Sequence, residues 1–469
     1  MNEFRRDPVS WIVRRGAPAA ALIALIALAI RIAIHGLTND DTFFHLRIGD
    51  EFLRGRWDLD EPGSLTSYGT RDWVPTQWLS EVVMAGAEDL AGTGGIVWLF
   101  GTIFVAYALT LYAVARISAP PIVAILVAGA AFVGSGGGLS ARPQVMSYLF
   151  AALVTAAWLG TMRDGRVRWW IIPLTWLWAM LHGMWPVAIV ISAVGAVGVV
   201  ADRRPERGQA LRILSLPLLA LVAAFLTPLG PRLVVEILTV TSRGKYFFEW
   251  GPTDFHAFQP AVLVLLLAIS LIAMLRAGPA RWTHLLLLLL AGAWALYALR
   301  TIPLAAAIAA PCAALALGEL APKGPRIDRR GALTLVALGA AASAVLAFLS
   351  SGAHTVGPDR PDWADAELDK LPAATGVLNA WDWGGYLAWR HPDLDFVVSG
   401  YGDVFTTGEL DRNVALTEAH HGWLDDLEGL HVEVALLAPD SDLAYGLEHT
   451  AGWTVVRSSD EMVLLHAPE

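Results

Sequence analysis

Long apolar runs, separated by short polar and basic stretches, fill roughly the first three quarters of the chain. The first extends from Ala17 to about Gly36, and others follow at about 93–115, 119–135, 145–162, 167–182, 184–201, 211–228, 261–275, 282–299, 302–318 and 331–350. A bilayer asks for roughly 20 apolar residues per helix. The pattern therefore predicts a polytopic α-helical membrane protein of about 11 transmembrane helices, several of them short, with the weakest pair broken at His182-Gly183. From about Pro361 the pattern changes. Gly376-Val377-Leu378, Asp395–Val398, Val432–Leu437, Trp453–Val456 and Met462–Leu465 read as short strands, and 384–391, 408–421 and 442–450 have helical spacing between them. This tail of about 110 residues is enough for one core, and it reads as a small C-terminal α/β soluble domain. The predicted division is a membrane domain over 1–352, with a first outer loop over 37–92, followed by a soluble domain over 353–469.

Composition agrees with a membrane chain: 55% of residues are hydrophobic and only 16% charged, against about 25% charged in soluble proteins, with a mean hydropathy of +0.52. Charge is unevenly divided. From His354 onward there are 22 acidic and 5 basic residues, net −17, which leaves +7 for the rest of a chain whose total is −10. Nucleic acid is not an expected partner. The single cysteine, Cys312, lies in an apolar run, so no intrachain disulfide is expected. Arg5/Arg6 and Arg14/Arg15 flank the first run as in a signal sequence, but its length and the lack of a small-x-small site before Asp40 predict a retained span.

Basic residues in short loops set orientation. With the N-terminus in the cytoplasm, the inner loops are those at Arg116, Arg163–Arg168, Arg203–Arg212, Arg276–Arg281 and Lys323–Arg330, all of them basic. An odd number of spans then puts the tail outside, and the expected location is the cytoplasmic membrane. The spans hold no Asp, Glu or Lys; Arg31 and His35 lie toward the outer end of the first and His284 near the inner end of the ninth. An ion-coupled transporter keeps such residues at mid-membrane, so that class is disfavoured.

Polar chemistry gathers instead on the predicted outer face. It begins with Asp40, Asp41, His45 and Arg47, then Asp58, Asp60 and Glu61, then Arg142, His182, Arg232, Arg243, Lys245, Glu249 and Arg300. If Asp41 opens a helix on the membrane surface, Asp41 and His45 share one face by i,i+4 spacing, with Phe43, Phe44, Leu46, Ile48 and Phe52 turned toward lipid or neighbouring helices. The plainer reading makes Asp40 or Asp41 an N-cap. Arg142 and Arg300 equally suit headgroup contact by snorkelling, and His182 a helix end. Taken together, several cations and carboxylates on one face suit a bound phosphate and a divalent metal. Trp57, Trp73, Trp78, Trp185 and Trp250 form either an interfacial belt or flat faces for a sugar or isoprenoid.

Asp41-Thr42-Phe43-Phe44-His45-Leu46-Arg47-Ile48-Gly49 resembles the "D-x-x-x-H-L-x-x-G" opening of the first outer loop in multi-pass bacterial proteins of the GT-C glycosyltransferase superfamily, and the corresponding stretch of the oligosaccharyltransferase catalytic subunit. Ser64–Tyr68, Trp73, Gln77-Trp78-Leu79-Ser80-Glu81, Arg142-Pro143, Leu181-His182-Gly183, Thr227–Gly230, Glu249-Trp250 and Arg300 are similar to further elements of that group in the same order. Asn379–Leu387, with Trp381-Asp382-Trp383-Gly384-Gly385, looks like the oligosaccharyltransferase Trp-Asp-Tyr-Gly motif.

The resemblance implies a GT-C glycosyltransferase, inverting, that moves sugar from a polyprenyl-phosphate donor to a glycan, lipid or protein acceptor at the outer membrane face. Asp41, with Asp40 as alternate, is the expected general base. Arg142, Arg300, Lys245, His45 and His182 are the expected donor-phosphate contacts. Trp381, Asp382 and Trp383 are expected at the acceptor, although Asp382 equally suits a cap for the helix near Gly384. Mg2+ or Mn2+ would be held by Asp41 with one of Asp58, Asp60 or Glu61. The tail is small, no Ser-Val-Ser-Glu motif is found, and Gln77 stands where Glu is common, so a peptide acceptor is not favoured. The rival class is a non-catalytic protein that binds a lipid-linked glycan, or acts in envelope assembly, through the same cleft.

Overall fold

The computed structural model describes residues 16–322, 327–352, 355–361 and 363–468. Of the basic residues named above, Arg5, Arg6, Arg14, Arg15 and Lys323 lie outside them. Contacts divide the chain into two compact units, one of Met1–His35, Gly94–Val234 and Phe247–Ala353, the other of Gly36–Thr93, Val235–Tyr246 and His354–Glu469. The stretch 37–92 thus folds in the same unit as the tail.

Among the described residues, eight helices of the chain are long and apolar enough to cross a membrane: Ala17–Ile34, Trp78–Arg116, Gln144–Asp164, Pro186–Arg203, Arg207–Phe225, Phe258–Arg276, Leu299–Leu320 and Arg329–Leu349. Three shorter apolar helices, Pro121–Gly134, Ile171–Leu181 and Trp282–Tyr297, take up the remaining predicted runs. The break expected at His182 is present: that residue is extended, and Pro186 opens the next helix. Trp78–Arg116 is not one regular rod, because Ala91 and Gly92 leave helical geometry and Gly92 has φ +59°.

Leu299–Leu320 is central to the membrane unit, with 89% of its apolar window buried, whereas Arg329–Leu349 buries 11%. It touches the helices Pro121–Gly134, Gln144–Asp164, Phe258–Arg276 and Trp282–Tyr297. Its sequence explains this position. Every residue from Ile302 to Ala316 is buried and most are alanine, and small side chains let helix backbones approach closely where lipid offers no hydrophobic drive.

In the second unit, β1 (Gly36–Leu37) pairs in parallel with β2 (Thr355–Val356). A five-stranded sheet is built from β3 (Gly376–Asn379), β4 (Asp395–Phe396), β5 (Val434–Leu437), β6 (Thr454–Ser458) and β7 (Val463–His466) in the order β4-β3-β5-β7-β6. The first three neighbours are parallel, and β5/β7 and β7/β6 are antiparallel. Leu378, Ala435, Leu437, Leu443, Leu447 and Leu465 share one core. A second core joins Phe44, Ile48 and Trp73 to Tyr401, Val404, Phe405 and Leu410. Hydrogen bonds fasten the same stretch: Thr66 Oγ1 donates to Phe396 O at 2.7 Å, Ser67 N to Asp395 Oδ1 at 3.0 Å and Thr70 Oγ1 to Glu409 Oε1 at 2.6 Å.

The helix Asp41–Leu53 begins at the expected residue, but its aromatic face does not meet lipid. Phe43, Leu46 and Ile48 are fully buried and Phe44 nearly so. Phe43 stands edge-on to Tyr386, centroids 5.2 Å apart, and touches Trp389. Protein fills the face that amphipathic spacing alone had left open to either lipid or neighbours.

Candidate functional site

Two groups of side chains carry chemistry, one in each unit. In the second unit the helix Gly384–Arg390 has Trp383 at its N-cap position, and no side chain of its own segment caps it. The cap comes from Asp40: Gly385 N donates to Oδ2 at 2.9 Å and Tyr386 N to Oδ1 at 2.8 Å. This corrects two expectations. Asp382 is not the cap, and Asp40 does not cap its own helix, where no side-chain cap bond is present. The two glycines of the motif are explained by this approach. A Cβ on Gly384 would lie 2.1 Å from Val398 O, and one on Gly385 2.6 Å from Asp40 O. Burial, then the charges of Asp41 and Asp382, push the Asp40 carboxyl up to about 8 against the lowering pull of the two N–H donors.

Both Asp40 oxygens are thus engaged by backbone N–H groups, and Asp41 stands at the first turn of its own helix, half-buried. Asp382 is exposed between Trp381 and Trp383, on a single turn over Trp381–Trp383. Trp381 packs against Phe405 at 6.1 Å.

His45 was expected at a phosphate. It is instead buried, its Nδ1 2.9 Å from Glu81 Oε1, with its ring against Phe44 and Tyr401. The partner lies 36 residues away, and no local pattern announces it. Lys245 is likewise diverted. It is exposed, and pairs with Asp411 at 3.2 Å. Trp73 is a core residue that donates Nε1–H to Gly63 O at 2.9 Å.

A buried charge network went unread in the sequence. Arg71 makes a forked contact to Glu236, 2.8 and 2.6 Å, and donates to Asp403 O at 2.7 Å. Arg243 donates to Phe405 O at 2.8 Å. Burial, then the Glu236 charge, push the Asp403 carboxyl up to about 6.

Asp58 Oδ1 accepts from the backbone N–H of Asp60 and of Glu61, and both of the latter side chains are exposed. Among the described residues no three His, Cys, Asp or Glu side chains gather as metal ligands. Asp41, Asp60 and Glu61, expected to hold Mg2+ or Mn2+, are not gathered into such a cluster.

In the membrane unit, Arg142 precedes the helix Gln144–Asp164 and Arg300 sits in the turn before Ile302. Arg142 is buried. It donates Nε–H to Ser140 Oγ at 2.9 Å and Nη2–H to Glu249 Oε1 at 2.8 Å. The next residue, Trp250, lies under the Arg300 guanidinium, 4.6 Å from the ring centroid, and Arg300 Nε is buried without a hydrogen-bond acceptor. Both guanidiniums lie within electrostatic reach of Tyr148. The Glu249-Trp250 pair thus links two arginines far apart in sequence. His182 is buried, and its Nδ1 accepts from Met184 N at 3.2 Å while meeting Ser147 Oγ at 2.9 Å. That leaves the ring proton of a neutral imidazole on Nε2.

No family model and no curated protein sequence matches this chain. Solved structures do. ArnT from Cupriavidus metallidurans bound to undecaprenyl phosphate aligns over 98% of this chain and 99% of its own, with TM-score 0.55 and 15% identity. The Archaeoglobus fulgidus oligosaccharyltransferase in the apo form aligns over 88% and 69%, with TM-score 0.54 and 13% identity. The same oligosaccharyltransferase in complex with Zn and sulfate aligns with TM-score 0.52. The chain has the fold of the GT-C glycosyltransferases.

Proposed function

From the GT-C fold, we propose that this protein transfers a sugar from a polyprenyl-phosphate carrier to an acceptor hydroxyl at the outer face of the cytoplasmic membrane. The observation that carries the reading is the Arg142–Glu249 and Trp250–Arg300 group, which keeps two guanidiniums, one with an unbonded buried Nε, at the ends of apolar helices. Guanidiniums suit phosphate oxygens geometrically and hold their charge at any working pH. The ArnT structure bound to undecaprenyl phosphate supports a lipid-linked donor.

In the proposed reaction the acceptor O–H loses its proton to Asp41 as its oxygen bonds to the anomeric carbon. The bond from that carbon to the phosphate oxygen breaks, and the carrier keeps the phosphate. A single displacement of this kind inverts the anomeric centre. Arg142 and Arg300 hold the departing phosphate, where charge develops, and His182 Nε2–H is a further donor. The exposed Asp382 carboxylate between Trp381 and Trp383 is assigned to the acceptor.

The test is transfer from a polyprenyl-phosphate sugar by membranes that contain the wild-type protein, Asp41→Asn or Arg300→Gln at equal protein level. Removing a general base costs about 10²–10⁴-fold in rate, so Asp41→Asn should fall by at least about 100-fold. Full activity of that variant would remove Asp41 from the reaction. Carrier bound by the wild type without turnover would replace catalysis with binding.

A further inference from the structure

The turn Trp381–Trp383, which carries the exposed Asp382 carboxylate, hangs between two anchors. On its leading side β3 ends at Asn379, whose buried amide ties that strand to its neighbour. Its Nδ2 donates to Val398 O at 2.8 Å, and its Oδ1 accepts from Val398 N at 3.1 Å. On its trailing side Gly384 begins the short helix that runs to Arg390. Where Asp382 stands is therefore set by how firmly that helix is held, and above all by its first turn.

The restraints reach this helix from other segments. At its far end both nitrogens of the buried His391 face carboxylates, Nε2 at 3.1 Å from Asp365 Oδ1 and Nδ1 at 3.1 Å from Asp369 Oδ1. Along its length Tyr386 O–H donates to Asp365 Oδ2 at 3.0 Å, and Trp389 Nε1–H donates to Glu88 Oε1 at 3.0 Å. At the near end the restraint is Asp40, through Gly385 N and Tyr386 N. Space for its carboxyl is cleared by glycine on two sides: a Cβ on Gly400 would lie 2.6 Å from Asp40 Oδ2, and one on Gly385 2.8 Å from the same oxygen. Gly400 also has φ +75°, which glycine adopts without strain. A cap that served only to close a helix is available locally in this domain. Thr406 caps Thr407–Thr417, and Ser441 caps Asp442–His449, each from the residue just before its helix. The remote cap instead makes the first turn at Gly384, and the Asp382 turn with it, answer to the segment that opens the first loop.

We propose that Asp40 is a positioning residue for the acceptor: by fixing Gly385 and Tyr386 it fixes the place of Asp382, three residues before Gly385. The inference rests on the assignment of Asp382 to the acceptor made above. Asp40 acts through the helix and not on the substrate. A contact group that is held before binding does not have to be ordered during it, so the effect falls on acceptor binding rather than on the chemical step.

The experiment measures transfer from a polyprenyl-phosphate sugar by the purified full chain, with a detergent extract of envelopes from a strain lacking this protein as the acceptor, titrated to saturation. Asp382→Asn should raise the amount of extract needed for half-maximal rate by about tenfold, the worth of one hydrogen bond to a charged group. At equal folded protein Asp40→Ala should raise it by a similar factor, with the donor KM and the saturated rate within about twofold of wild type. Asp40→Asn keeps one acceptor oxygen and is the milder change to the fold; it should raise the amount by about threefold. The double variant Asp40→Ala, Asp382→Asn should be no worse than Asp382→Asn alone, because a residue that acts through Asp382 then has nothing left to position. Effects that multiply in the double variant, unchanged half-saturation in Asp40→Ala and Asp40→Asn, or a fall confined to the saturated rate would overturn the proposal. If Asp382→Asn itself leaves half-saturation unchanged, the acceptor assignment fails, and the role of Asp40 falls with it.

Discussion

Replacing Asp40 by alanine should loosen one short helix far away in sequence. Its oxygens accept from Gly385 N and Tyr386 N at 2.9 and 2.8 Å, and both donor residues are buried. An orphaned buried N–H costs about 1–3 kcal/mol, and loss of a cap about 0.5–2 kcal/mol. Taking the low end for each of two donors gives about 2 kcal/mol, or about 30-fold in a local opening constant. Hydrogen–deuterium exchange of the purified full chain reads this at residues 384–390, with the helix Asp442–His449 as an internal reference. Asp40→Ala should speed exchange there by about 30-fold and leave the reference unchanged. Asp40→Asn keeps one acceptor, and about 1 kcal/mol, or roughly fivefold, is expected. The sign with pH follows from a carboxyl pushed up to about 8. A group whose folded pKa exceeds its unfolded value contributes stability that is complete below about 4 and is lost as pH rises toward 8. Protection corrected for intrinsic exchange should therefore weaken from pH 6 to 9 in the wild type and stay flat in Asp40→Asn. Equal exchange in Asp40→Ala and wild type would refute the cap.

Gly385→Ala puts a Cβ 2.6 Å from Asp40 O and should lower the melting temperature clearly, whereas Gly408→Ala, with open space around the site, should be near neutral. Arg71→Met leaves Glu236 buried without its forked partner, and breaking such a pair costs about 3–5 kcal/mol, which denaturant unfolding would register. Because Asp403 is pushed up to about 6, its contribution to stability is present below the ordinary carboxylate range and is lost as pH rises through about 6. Asp403→Asn should flatten the stability profile across that window.

Much of this architecture is legible along the chain because burial leaves a period. The apolar runs correspond to helices, and the five apolar pieces of the tail lie on the strands of one sheet. The start of the helix at Asp41 is equally local, since turn and helix signals act over a few residues. What periodicity does not carry is identity of the partner. Phe43 has the spacing of a lipid-facing residue, yet Tyr386 and Trp389 cover it. His45 and Glu81 find each other across 36 residues with no spacing rule between them. Asp40 looked like a cap because aspartate favours that role, and it is one, but for a helix that no local rule could connect to it. Arg142 and Arg300 stood out as isolated cations near apolar runs. Their association with Glu249 and Trp250 appears only once the loop after Val234 is placed.

The link between Asp40 and Gly385 spans 345 residues, and this bears on how the molecule is made. Ribosomes add about 5–20 residues per second, so the segment with Asp40 emerges roughly 15–70 s before its partner exists. Through that interval Phe43 lacks the Tyr386 and Trp389 rings that finally cover it, and Phe44 and Ile48 lack the Tyr401–Leu410 side of their core. A nascent chain of this kind depends on something to shield its early aromatic segment until synthesis is nearly finished, and truncations upstream of Gly385 should be degraded rather than accumulate.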